Sequence, residues 1–196
     1  TSIKENDNMG DLPPLPSLAY ETGKDARTAN PSLYFIDKNT GRLTAEIREM
    51  ELPYMGDSIS LVLGELLKGP VSSGLSPVLR GASLSRVELT GECANVYIET
   101  DQELLEKEKF TGAVAISDTV IDYTGAIYVT VFFNGQVMGV DGCAFGPLKK
   151  SDGNPDALYL EYKARYAELQ EGVSDTVEMS AILYFVDPSG RLLLPE

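Results

Sequence analysis

Ser32-Leu33-Tyr34-Phe35-Ile36-Asp37, followed by Gly41-Arg42-Leu43, returns near the other end of the chain as Ile182-Leu183-Tyr184-Phe185-Val186-Asp187, followed by Gly190-Arg191-Leu192. Each copy is a strand pattern of apolar and aromatic residues that runs into a turn-forming Asp and a Gly able to take positive φ. Two matching hairpin openings point to a duplicated unit. The first copy has ample chain after it to complete a fold, and the second has almost none. Residues 32–150 are therefore expected to form one α+β domain, and residues 180–196 the opening hairpin of a second, truncated repeat.

Working outward, Leu33–Asp37 turns through Lys38-Asn39-Thr40-Gly41 into an expected partner strand over Leu43–Leu52. The clearest helix follows. Asp57 or Ser58 can cap it, and Ile59, Val62, Leu63, Leu66 and Leu67 recur at helical spacing before Gly69, expected as a left-handed C-cap residue, and Pro70. Strands are expected over Ser85–Thr90 and Ala94–Thr100, joined at Gly91-Glu92. A second helix should run from Gln102 or Phe110 through Tyr123, with Phe110, Ala113, Val114, Val120 and Ile121 as its apolar stripe and Gly112 weakening its middle. The β-branched run Ala126–Phe133 turns at Asn134-Gly135 into Gln136–Val140. The resulting order, β(β)-α-β-β-α-β, is an α+β layer with two helices packed on one face of a mixed or antiparallel sheet.

Beyond that domain, residues 151–179 read as a linker containing a helix over 155–171, opened by Asn154-Pro155-Asp156 and ended by Gly172. An alternating strand fits Leu158, Leu160, Tyr162, Ala164 and Tyr166 as well, but Ala, Leu, Glu, Lys and Arg favour helix. At the other end, residues 1–31 carry Lys4-Glu5-Asn6-Asp7-Asn8 and Leu12-Pro13-Pro14-Leu15-Pro16. Such a mixture buries little surface, and the segment is expected to be an extended Pro-rich tether.

Composition excludes several functions. A net charge of −14, with no Lys/Arg cluster, opposes binding to a nucleic-acid backbone. No stretch approaches the roughly 20 apolar residues of a membrane span, so direct membrane insertion of this segment is not expected. The chain begins at Thr1 rather than Met, as it would after removal of a targeting segment. Histidine is absent, which removes the commonest general base, metal ligand and partner of a nucleophile. Cys93 and Cys143 are either two buried thiols or one disulfide across strand ends; the thiols are favoured, since a domain of this size needs no staple.

The remaining constellations read as structure. Asp37–Gly41 and Asp152–Asp156 space oxygens somewhat like calcium loops but lack the full pattern and its distal Glu, and Asx turns explain both. Glu46, Glu49 and Glu51, like Glu103, Glu106 and Glu108, are expected on solvated faces rather than as a catalytic pair. Ser72, Ser73 and Ser76 lack any elbow or S-x-x-K context. Tyr159, Tyr162 and Tyr166 fit an interface or a packed helix equally well. No catalytic, cofactor-binding or metal-ligating residue is assigned.

The ordered series Leu33-Tyr34-Phe35-Ile36-Asp37, then Leu61-Val62-Leu63-Gly64-Glu65-Leu66-Leu67-Lys68-Gly69-Pro70, then strand, turn, strand and helix, then a Val-rich strand ending at Asn134-Gly135, resembles the GerMN domain, the sporulation and spore germination domain of endospore-forming bacteria and their relatives. The match covers roughly residues 32–140, and its most specific piece is the Leu-Leu-x-Gly-Pro helix end. The resemblance implies a fold similar to ring-building motifs, a non-enzymatic role, and an acidic extracytoplasmic module of the cell envelope, often a lipoprotein with a lipid anchor upstream and tandem domains. It implies envelope proteins, or self-association, as partners. Either the natural chain continues past Glu196, or the short second copy borrows a sheet, with Ile182–Val186 docking on an exposed strand edge of its own chain or a neighbour's. Three functions follow in order of preference: an assembly module acting through protein–protein contacts, a binder of a small ligand or cell-wall glycan, and a hydrolase. A pocket lined by Tyr and Glu would favour the second, and an exposed apolar patch the first.

Overall fold

The computed structural model describes residues 26–53, 57–140, 143–144, 146–172, 185–186 and 192–193. The chain opens with β1 (Ala26–Ala29), β2 (Ser32–Asp37), β3 (Leu43–Ile47) and β4 (Met50–Pro53), followed by α1 (Ser58–Lys68) and β5 (Leu75–Ser76). Then come β6 (Ala82–Thr90), β7 (Cys93–Thr100), α2 (Glu106–Thr124), β8 (Tyr128–Phe133) and β9 (Gln136–Val137). Next are β10 (Gly139–Val140), β11 (Cys143–Ala144) and α3 (Pro155–Gly172), and last β12 (Phe185–Val186) and β13 (Leu192–Leu193).

Two sheets hold the core. One has the order β3-β2-β5 and is antiparallel; the other has the order β6-β7-β8-β9 and is parallel between β7 and β8. Parallel neighbours require a crossover, and α2 supplies it. The α+β class and the order of elements are those expected from the sequence.

Local chemistry explains each element. Asp57 caps α1 by accepting from the Ser60 amide, and Ile59, Val62, Leu63 and Leu66 bury its inner face. Ala94, Val96 and Ile98 of β7 and Val129, Val131 and Phe133 of β8 alternate into the core, leaving the intervening residues on an outer face. At the β8–β9 turn, Asn134 takes a positive φ of 49°. Its side chain accepts from the Thr100 amide (2.9 Å) and donates to the Thr100 carbonyl (3.0 Å), fastening the hairpin to the end of β7.

Helix α2 departs from the expected amphipathic pattern. Every residue from Phe110 to Val120 is buried, because β2, β8, α1 and α3 all pack against it. Gly112 is therefore a packing requirement rather than a weak point. A Cβ there would lie 2.5 Å from Leu79 Cγ, and Leu79 is itself in the core.

Other expectations are corrected. The tether does not extend to residue 31, because β1 pairs with β4, Arg27 opposite Leu52; residues 1–25 lie outside the described residues. The strand expected over Leu43–Leu52 is two strands in different sheets, broken where the Arg48 amide donates to the Pro31 carbonyl and the Arg48 side chain turns toward α1. Gly69 is not left-handed helical but extended, at φ 99° and ψ 174°, a region open to glycine. Residues 155–172 are helical as expected, yet α3 is no free linker: Tyr159 and Tyr162 pack their rings on Phe110, with centroids 5.3 and 5.5 Å away. The second hairpin forms a ladder of its own, Phe185 opposite Leu193 and Val186 opposite Leu192. Among the described residues it joins no other sheet of its own chain.

Gly112→Ala is expected to lower stability by ~1–2 kcal/mol in urea unfolding, the overpacking against Leu79 (~1–3 kcal/mol) exceeding the gain in helix propensity of ~1 kcal/mol. A variant as stable as the parent would show that Leu79 can yield.

Candidate functional site

The outer face of the four-stranded sheet is built by strict alternation. Because Val96 and Ile98 point inward, Asn95, Tyr97 and Glu99 point outward, and Tyr128, Thr130 and Phe132 do the same from β8. Tyr97 and Phe132 are cross-strand neighbours, and their rings stack at 4.5 Å with 12° between planes. From β6, the Arg86 guanidinium lies 3.5 Å from the Tyr97 ring centroid. Arg86 Nε donates to Glu88 Oε1 at 2.8 Å, and the Tyr97 hydroxyl donates to Glu88 Oε2 at 3.0 Å. That carboxylate is held below its usual range by Arg86 first and Tyr97 second. The half-buried aromatic surface is thus bordered by an exposed, internally neutral ion pair. Cys93 sits at the start of the same face, exposed and with a free thiol, which corrects the expectation that it is buried. The side chain of Cys143 lies outside the described residues.

A second polar assembly fixes the segment before α3. Asp118, buried on α2, accepts from the Ser151 amide (2.8 Å) and hydroxyl (2.5 Å). Lys150 donates to the Asp118 carbonyl, pairs with Asp122 at 2.7 Å, and lies 3.8 Å from the Tyr34 ring centroid. The Tyr34 hydroxyl donates to Asp122 at 2.6 Å. Burial pushes the Asp118 carboxyl up against the opposing pull of Ser151, and burial also raises the Tyr34 hydroxyl, reinforced by Asp122. Between this segment and α3 runs a groove of about 650 Å³, with Lys149, Ser151, Glu161, Tyr162 and Arg165 among its walls.

The third assembly secures the Leu66-Leu67-Lys68-Gly69-Pro70 helix end. Arg48 donates to the carbonyls of Glu65 (3.3 Å) and Gly69 (3.1 Å), to the Glu65 carboxylate (3.1 Å) and to Glu46. Glu46 in turn accepts from the amides of Val71 and Ser72. Burial alone would raise the Glu46 carboxyl, but these donors bring it down to about 2. The Arg48 charge also sits where the α1 dipole is negative.

No family model matches the chain, and no curated protein matches it. Three solved structures align with part of the chain. The first GerMN domain of the sporulation protein GerM from Bacillus subtilis aligns with 66% of this chain and 100% of its own length, at 20% identity and a TM-score of 0.47. The tandem GerMN domains of the same protein align with 65% of this chain, which spans 46% of their length, at 19% identity and a TM-score of 0.46. A Clostridium perfringens protein described as a lipoprotein aligns with 64% of this chain and 89% of its own, at 18% identity and a TM-score of 0.39.

The other candidates from the sequence fall into place individually. Asp37 accepts from the amides of Asn39 and Thr40 as an Asx turn, and Asn154 caps α3 by accepting from the Ala157 amide. The two loops meet, since Arg42 donates to the Asp152 carbonyl and the Leu43 amide to the Gly153 carbonyl. Glu49, Glu51 and Glu103 are exposed, Glu108 receives the Leu105 amide at the start of α2, and Tyr159 donates to Glu106. Of the three tyrosines, Tyr159 and Tyr162 pack on Phe110, and the Tyr166 side chain lies outside the described residues. Among the described residues no cluster of three metal-ligating side chains occurs. Asp118 escapes sequence reasoning because a single Asp in an apolar helix reads as its solvent side; Arg86 and Tyr97 carry only the signal of alternation.

Glu46 and Asp118 make opposite contributions to stability with pH. The lowered Glu46 pKa stabilises the fold above about 4.5, an advantage that is lost as pH falls toward about 2. Glu46→Gln is expected to cost roughly 2 kcal/mol at neutral pH and to flatten that acid limb. The raised Asp118 pKa means that ionisation opposes folding, so its contribution is present in acid and lost as pH rises through the folded value. Asp118→Asn should therefore gain stability relative to the parent as pH rises above about 4, the ordinary value of the group. Urea midpoints across pH test both signs.

Proposed function

We propose that this chain is a non-enzymatic, extracytoplasmic assembly module of the cell envelope, linked to sporulation or germination and acting through protein–protein contacts with envelope proteins or with itself. The observation that carries the reading is the outward Arg86–Tyr97–Phe132 stack. Tyr, Phe and Arg are the side chains enriched at protein interfaces, and here they are set rigidly on a sheet, with little side-chain entropy left to lose on binding. The envelope and sporulation part rests on the sequence resemblance to the GerMN domain. No helix among the described residues is long and apolar enough to cross a membrane.

A second reading, binding of a small ligand or cell-wall glycan, is favoured by the groove beside α3, where Tyr162, Glu161, Arg165 and Lys149 converge. Titration of muropeptides against the full chain, with Tyr162→Ala as control, decides it: saturable binding lost in the variant supports this reading, and no binding removes it.

The assembly reading makes two predictions in cells. Asn39→Cys in a Cys93→Ser background places an exposed thiol at the turn after β2, away from the aromatic stack. A membrane-impermeant maleimide is expected to label it in intact cells, beyond the level of Cys93→Ser alone; label that requires lysis overturns the extracytoplasmic location. Tyr97→Ala combined with Phe132→Ala should release the protein from a crosslinkable higher-mass species while leaving it folded, at a cost to its own stability of roughly 2–4 kcal/mol from lost stacking and apolar burial. Unchanged crosslinks would exclude this face.

A further inference from the structure

We propose that β6 is a self-association edge, along which two copies of this chain pair antiparallel about Val87 so that Arg86 of each copy faces Glu88 of the other. The inference deepens the assembly reading and rests on it.

β6 is nine residues long and ends the order β6-β7-β8-β9; among the described residues no strand pairs with its other side. An edge of this length presents unpaired amides and carbonyls to any extended chain. Edges are commonly protected by proline, by lysine or by a bulge; Ala82-Ser83-Leu84-Ser85-Arg86-Val87-Glu88-Leu89-Thr90 has no proline or lysine, and its one irregularity lies at Ser85, to one side of the Arg86–Glu88 centre of the pairing. Its two charges are Arg86 and Glu88, opposite in sign and two residues apart. They lie on one face, because Arg86 is paired with the outward Tyr97 and Glu88 with the outward Asn95.

That spacing is self-complementary. A two-fold axis through Val87 exchanges positions 86 and 88, so each Arg meets the other copy's Glu and the contact occurs twice per dimer, whereas a single charge near the axis would meet its own image. Both side chains are about half exposed, at 55% and 46%, and can exchange the ion pair they now make within one chain.

The same register accounts for an exposed leucine. Leu89 is 53% exposed on the strand. Pairing about Val87 sets Leu89 of the second copy opposite Ser85, where β6 departs from regular register. There it meets the end of a groove of about 560 Å³ between β6 and α1, with Leu61, Gly64, Leu67 and Leu84 in its walls. Leu61 is 48% exposed, so this pairing covers two large apolar side chains together.

The test is the solution mass of the full chain by sedimentation equilibrium, with single and paired charge reversals. The parent is expected to form a dimer, and Arg86→Glu and Glu88→Arg should each weaken it roughly tenfold or more by opposing like charges on both sides of the axis. Mixing the two variants should restore a 1:1 heterodimer, since one copy then presents two carboxylates at the axis and the other two guanidinium groups. The double reversal within one chain should also restore the dimer. A monomeric parent, single variants that dimerise as well as the parent, or a mixture that stays monomeric overturns the proposal. Circular dichroism of each variant checks that it is folded. The two readings fail separately: thiol label that needs lysis removes the envelope function whatever the masses, and monomeric masses remove the β6 edge whatever the label.

Discussion

The burial of α2 on every side constrains the rest of the structure. A helix with one apolar face leaves its polar residues in water, but this one carries Thr111, Ser117, Asp118 and Thr119 into the interior, where each hydroxyl or carboxylate without a partner costs about 1–3 kcal/mol. Ser117 Oγ has no hydrogen-bond partner among the described residues, and the surrounding elements are placed by how Thr119 and Asp118 are met. Thr119 Oγ1 donates to the Ala115 carbonyl (2.9 Å) and accepts from the Tyr34 amide (3.2 Å), which fixes β2 against the helix. Asp118 holds Ser151 and, through it, the start of α3. Gly112 admits Leu79, and Phe110 receives Tyr159 and Tyr162. Four segments distant in sequence thus find their positions on successive turns of one helix.

The same logic operates at α1. A helix C-terminus leaves carbonyls unsatisfied, and a glycine in left-handed conformation is the usual local answer. Here the answer is remote: Arg48, from the break between β3 and β4, donates to the Glu65 and Gly69 carbonyls. Glu46 balances its charge while binding the amides of Val71 and Ser72. Gly69 is then free to be extended, which directs the chain toward β5. The clasp also explains why β3 and β4 cannot be one strand: the residue that would continue the ladder is the one that caps the helix.

Legibility in the sequence followed the range of the interactions. Helix α1, the Asn134-Gly135 hairpin and the ends of α3 are set by neighbours a few residues apart, and periodicity and capping residues announce them. The pairing of β1 with β4, the docking of α3 and the enclosure of α2 depend on partners tens of residues away. Enclosure even erases the expected signal, because a helix buried all round has no polar face to set against an apolar one. Alternation in β7 and β8 identifies an outer face, but not that Tyr97 and Phe132 are neighbours, since a parallel register is fixed by the crossover rather than by a turn. Glu46 and Asp118 are unreadable for the converse reason. Each looks like ordinary surface carboxylate until its donors, drawn from other elements, surround it.

Net charge and local charge act at different distances in this protein. At −14, two copies repel through the solvent, but at physiological ionic strength that repulsion is screened beyond about 8 Å. What two surfaces sense at contact is therefore the local arrangement, and beside Tyr97 that arrangement is a balanced pair: Arg86 against Glu88, with Tyr97 and Phe132 between strands. An acidic body keeps non-specific encounters unproductive, while a locally balanced, aromatic, rigid strand face allows a specific one. Pairing of Glu46 with Arg48 serves the same separation, because an ion pair of this kind adds little to the field outside. The acidity that argues against nucleic acid as a partner is thus compatible with close packing of protein on protein, provided that contact is made through β6 and the sheet behind it.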